Sequence, residues 1–156
     1  MTTKKKFLIM RHGPSLGVGR LRICSLAWRL KLVKRARSRN FLGEGKISVF
    51  TAPEWDTFYT AKHVAEELEA EQPVVEQSLS DDCEEPVSEE FVRGRLADAN
   101  PDIIMTHFTR LDAVIAAIEQ ASGIKFTIDR GRMRHLNRAY LVDLEKGRVL
   151  VIKERS

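Results

Sequence analysis

Two stretches of this chain carry no polar side chain at all, Phe7-Leu8-Ile9-Met10 and Ile103-Ile104-Met105. Each is far too short for a membrane span and reads as a strand buried on both faces. Residues 47–50 read as another strand, and Val74–Val75 as a short one. Between these runs the apolar period changes to that of helices. Ile23, Leu26, Ala27, Leu30 and Val33 mark a basic amphipathic helix to about residue 37. Trp55, Phe58, Ala61, Val64, Ala65 and Leu68 mark a second to about residue 71, and residues 89–97 a third. Leu111, Val114, Ile115, Ile118 and Ala121 form a fourth stripe, closed by Gly123. Thr51 with Glu54 three places on, and Pro53 between, has the form of a capping box that starts the second helix. Two final strands fit residues 133–144 and 148–153, joined by a turn at Glu145-Lys146-Gly147. Such alternation predicts a single α/β domain over residues 1–156, a three-layer sandwich with a mostly parallel central sheet and helices on both faces. Ligands of such sheets bind beyond the carboxyl ends of the strands. His12 and His107 each directly follow such a strand or the residue that ends it.

Composition narrows the class. With 43% hydrophobic and 31% charged residues the chain has the profile of a soluble globular protein. Lys4, Lys5 and Lys6 precede too few apolar residues for a signal peptide. Cys24 and Cys83 lie in unrelated contexts, so a reduced, cytoplasmic protein is expected. The four histidines have no metal-site spacing, and no metal or cofactor is expected. Charge is segregated: Arg20, Arg22, Arg29, Lys34, Arg35, Arg37 and Arg39 crowd one segment, whereas residues 66–90 hold eleven acidic residues and no Lys or Arg. The simple reading is two solvated helix faces of opposite sign that lie near each other. The basic helix also permits nucleic acid or an acidic membrane, but with Trp28 as its lone aromatic neither is the expected partner. Its apolar stripe predicts that Arg29, Arg35 and Arg39 stay in water.

The strand followed by Arg11-His12-Gly13-Pro14-Ser15, and the later strand ending in Thr106-His107, resemble the two signatures of the histidine phosphatase (phosphoglycerate-mutase-like) superfamily. In its short length the chain is most similar to the phosphohistidine phosphatases. The resemblance implies a metal-independent hydrolase in which His12 attacks phosphorus to form a phosphohistidine. Arg11 and Ser15 would bind the phosphoryl group, His107 would donate to its oxygens, and the substrate would be a phosphohistidine protein or a small phosphorylated molecule. Imidazole is a competent phosphoryl nucleophile, and phosphoryl transfer rests on positioning and charge neutralisation. His63 and His135 lie outside these motifs and read as surface or structural residues.

One position departs from the pattern. Where the family carries a phosphate-binding Arg early in its helix, the run Pro53-Glu54-Trp55-Asp56 places Asp56, with Thr60 and Ala61 keeping the register. A carboxylate beside phosphate reverses an interaction worth on the order of a few kcal/mol. Arg110, one helical turn past His107, and Arg20 or Arg22, after His12, are the candidate replacement cations. Asp81 stands where mutase-like members carry the acid that protonates the leaving group. Two readings follow: a phosphatase, or a non-catalytic relative that binds a phosphorylated or anionic ligand or a protein partner.

Overall fold

The computed structural model of the chain describes residues 5–11, 29–31, 33, 34, 36, 37, 42, 45–126 and 138–153. Among these, six strands are present: β1 Lys6–Arg11, β2 Ser48–Thr51, β3 Val74–Val75, β4 Asp102–Thr106, β5 Arg138–Asp143 and β6 Arg148–Lys153. They make one sheet in the order β3-β2-β4-β1-β5-β6. The pairs β3–β2, β2–β4 and β4–β1 are parallel, whereas β5 runs antiparallel to both β1 and β6. The helices are α1 Trp55–Glu67, α2 Glu89–Leu96 and α3 Leu111–Ser122, and the described part of residues 29–37 is helical as well.

The period of two along β1 explains the three layers. Phe7 and Ile9 belong to a core shared with Val92 and Leu96 of α2 and with Leu111, Val114 and Ile118 of α3. Leu8 and Met10 turn to the other face, onto Val33, Ala36 and the α1 residues Ala61, Val64 and Ala65. Helices therefore cover both faces of the sheet. Helix α3 ends as the sequence predicts, with Gly123 left-handed at φ 72° and its N–H on the Glu119 carbonyl.

Three local expectations are corrected. Thr51 does not start a helix. It is buried in β2 opposite Met105, its carbonyl accepts from the Glu76 N–H, and its hydroxyl donates to the Ala52 carbonyl. Helix α1 instead opens at Trp55, and the Glu54 carboxylate makes no capping bond. The extra sheet pairing at Thr51 outweighs the local capping signal. Trp55, counted into the apolar stripe, is 56% exposed and stacks on Tyr59. Arg29, expected in water, is only 2% exposed, because its Nε donates to the carbonyl of Arg11 at 2.6 Å. A carbonyl at a strand end needs a donor once buried, and Arg29 supplies it. Arg35 and Arg39 lie outside the described residues.

The two charge blocks do meet. Lys34 pairs with Glu67 at 2.9 Å, Lys46 pairs with Glu71, and Arg37 donates to the Leu68 carbonyl at the end of α1. Among the described residues no helix is long and apolar enough to cross a membrane.

Candidate functional site

The register of the parallel strands sets the site. Arg11, the last residue of β1, is paired with Thr106, the last of β4. His107 therefore leaves the sheet beside the end of β1. His12 follows Arg11 in the chain, and it lies outside the described residues, as do Ser15, Arg20 and Arg22. His107 is held in an extended conformation, and its carbonyl accepts from the Arg110 N–H.

Two segments converge on the His107 ring, whose side chain is 8% exposed. Its Nε2 lies 2.6 Å from Glu54 Oε1, and its Nδ1 lies 3.7 Å from a carboxylate oxygen of Asp81. Glu54 also accepts from the Ser80 hydroxyl at 3.1 Å and from the Asp81 N–H at 3.3 Å. Each arm has its own anchor. The buried Thr57 hydroxyl lies within hydrogen-bond reach of the Ala52 and Glu54 carbonyls, fixing the turn that presents Glu54. The buried Thr106 hydroxyl donates to the Leu79 carbonyl at 2.8 Å, which fastens the segment carrying Asp81 to the end of β4.

Arg110 works on the same loop. Its Nη2 donates to the Ser78 carbonyl at 2.7 Å and the Glu85 carbonyl at 2.9 Å. These two bonds close the acidic loop on either side of Asp81, so this guanidinium serves the loop backbone. Asp56 sits in the first turn of α1, half-buried, and accepts from the Thr57 N–H at 2.8 Å. A carboxylate there is favoured by the helix dipole. That gives Asp56 a structural reason to stand where an Arg was expected.

Glu54 is the site residue that sequence reasoning missed. Its place three residues after Thr51 made it look like a capping partner, and no periodic signal marks a carboxylate that points at a histidine 53 positions away. His63, by contrast, lies on the surface of α1 beside Glu66 and edge-on to Tyr59.

No family model and no curated protein matches the chain. Solved structures do. The SixA protein of Agrobacterium tumefaciens, assigned as a phosphohistidine phosphatase, aligns with TM-score 0.52 and 11% identity over 91% of this chain and 93% of its own. A mutant phosphoserine phosphatase of Entamoeba histolytica, solved with phosphoserine, aligns with TM-score 0.53 and 7% identity over 96% and 95%. A phosphoglycerate mutase from Plasmodium falciparum aligns with TM-score 0.49 and 11% identity over 97% and 91%. At these identities the likeness is one of fold alone: the chain shares the fold of the SixA protein and of the phosphoserine phosphatase.

Proposed function

We propose that the protein is a phosphatase in which His12 is the nucleophile, acting on phosphohistidine or a small phosphorylated substrate. The reading is supported above all by register: Arg11 and Thr106 are paired neighbours at the carboxyl edge, and the next residue of each strand is a histidine. In the reaction a neutral His12 imidazole attacks phosphorus in line as the bond to the leaving group breaks. Water then attacks the phosphohistidine and returns the imidazole. Arg11 contributes a planar cation to the phosphoryl oxygens. The His107–Glu54 pair can pass a proton to the leaving atom, with Asp81 adjusting the ring from its other side.

One observation favours the second reading, a binding protein without turnover. Glu54 and Asp81 stand against His107 at this edge, and carboxylates there repel a phosphoryl dianion. Hydrolysis of phosphohistidine and of p-nitrophenyl phosphate by the wild type and His12→Ala separates the two. Turnover by the wild type that falls to background in His12→Ala is the expected result. A wild type with no turnover on either substrate would leave the binding reading, and equal rates in both proteins would remove His12 from the chemistry.

A further inference from the structure

We propose that the cavity between the acidic loop and α3 binds a free α-amino acid with an apolar side chain. The cavity has a volume of about 330 Å³, and none of Glu54, Asp81 and His107 lines it. On the helix side Ala113, Ala116 and Ala117 share one face of α3 and leave room that larger side chains would fill. Pro86 and Val87 supply apolar surface from the loop. Size and lining are those of a small-molecule site, mostly apolar with a few polar groups that orient the ligand.

Two features of charge select that ligand. The first is Arg110, which lines the cavity and is only 9% exposed. Its bonds to the Ser78 and Glu85 carbonyls both use Nη2, and Nε is buried without a partner. Among the described residues the guanidinium is therefore a buried cation held by neutral acceptors alone, and such a charge is costly until an anion balances it. A carboxylate in the cavity would supply both the missing charge and an acceptor for the unused donor.

The second is the rim. Glu84 and Glu85 line the cavity from exposed positions, and among the described residues neither carboxylate is in an ion pair. Glu89, the other acid of the lining, is already paired with Arg93. A simple anion would meet this rim as a barrier, and a simple cation would leave Arg110 unbalanced. A small zwitterion satisfies both, with its carboxylate inward at Arg110, its ammonium outward at Glu84 and Glu85, and an aliphatic side chain over the alanines. The inference rests on the loop and α3 and is independent of the chemistry at His12.

Isothermal calorimetry on the full chain with L-leucine as the probe tests the site. The expected result is one molecule per chain, bound more tightly than about 1 mM. Isocaproate lacks the ammonium and isopentylamine lacks the carboxylate, and each should bind at least about tenfold more weakly. Ala116→Leu adds bulk to the cavity from an exposed position on α3, so it should keep the fold and abolish binding. Glu84→Gln should weaken binding about tenfold. No one-to-one binding of L-leucine within that limit would overturn the proposal. Binding undiminished in Ala116→Leu would overturn it as well, because the ligand would then sit elsewhere. Isopentylamine that binds as tightly as L-leucine would also overturn it, leaving an acidic patch that collects amines without help from Arg110.

Discussion

At one edge of the sheet, a single carboxylate meets two cations; at the opposite edge, two carboxylates meet one histidine. The first edge lies at the start of β1 and β4. Lys5 Nζ is 2.8 Å from Asp102 with both side chains fully buried, and Arg95 grips the same carboxylate through two bonds of 2.8 and 3.0 Å. The Arg95 guanidinium carbon also lies over the Phe50 ring, 4.5 Å from its centre. Charge there is enclosed, and every buried charged group has a partner. At the far end of the same two strands, Glu54, Asp81 and His107 carry a surplus of negative charge that is partly open to water. The same pair of strands thus ends in a closed electrostatic lock and in a more open cluster that, among the described residues, holds two carboxylates against one histidine. Enclosed pairing of the first kind serves stability, whereas titratable groups gathered at an open strand end are where functional sites are found.

The largest effect tests the lock. Asp102→Ala leaves Lys5 buried without its carboxylate and removes both Arg95 bonds, so a loss of about 3–5 kcal/mol is expected. Urea unfolding measures it, and a loss under about 1 kcal/mol would show that the amino edge is no more structural than the other.

The next effect concerns ligand affinity at the open edge. Asp56→Arg exchanges a repelling charge for an attracting one in the first turn of α1, and phosphate or vanadate should bind at least about tenfold more tightly, read by calorimetry at low salt. The variant gives up the bond from Thr57 N–H and a favourable place on the helix dipole, so its stability should fall by about 1 kcal/mol. Unchanged affinity would place Asp56 outside the ligand's reach.

That test depends on how well residue types in sequence foretell position. Strands at 7–10 and 103–105, and the stripes of α1 and α3, were legible because burial on a sheet or helix repeats with a fixed period. The mostly parallel sheet with helices on both faces followed from the alternation of strands and helices. What stayed hidden has one physical character. Glu54 was misread because a local capping pattern and a long-range contact to His107 use the same carboxylate, and the pairing of Thr51 with Met105 decided between them. Arg29 was misread because nothing near it in sequence shows that the Arg11 carbonyl lacks a donor. The lock itself carries no motif, since Lys5, Arg95 and Asp102 come from three separate segments. The role of Arg110 was half legible: its place beside His107 followed from spacing, but the two loop carbonyls it holds did not.

A smaller effect separates the two edges by pH. Burial holds the Lys5 ammonium below its ordinary value of 10.5, against the pull of Asp102 and with repulsion from Arg95 added. Between that lowered value and 10.5 the unfolded chain binds more protons at this residue than the folded one does. Stability contributed by this group therefore rises with pH through that alkaline window, and below it the cost of the buried charge is constant. Lys5→Met should abolish the rise. Chemical unfolding of both proteins across the window measures it, and parallel curves would mean that Lys5 does not titrate differently on folding.

The smallest effect is expected at the open edge, and its smallness is what it tests. Asp81→Asn removes one charge from a side chain that is 43% exposed and whose contact with His107 is 3.7 Å, too long for a good hydrogen bond. Its backbone N–H bond to Glu54 remains in the variant. Stability should therefore change by no more than about 0.5 kcal/mol in buffer free of divalent cations. A substitution of the same kind at Asp102 should cost several times more, because that carboxylate is fully buried against two cations. A clear loss of stability in Asp81→Asn would mean that the carboxyl edge is a second lock, held by the contact with His107, and the contrast between the two ends of β1 and β4 would disappear.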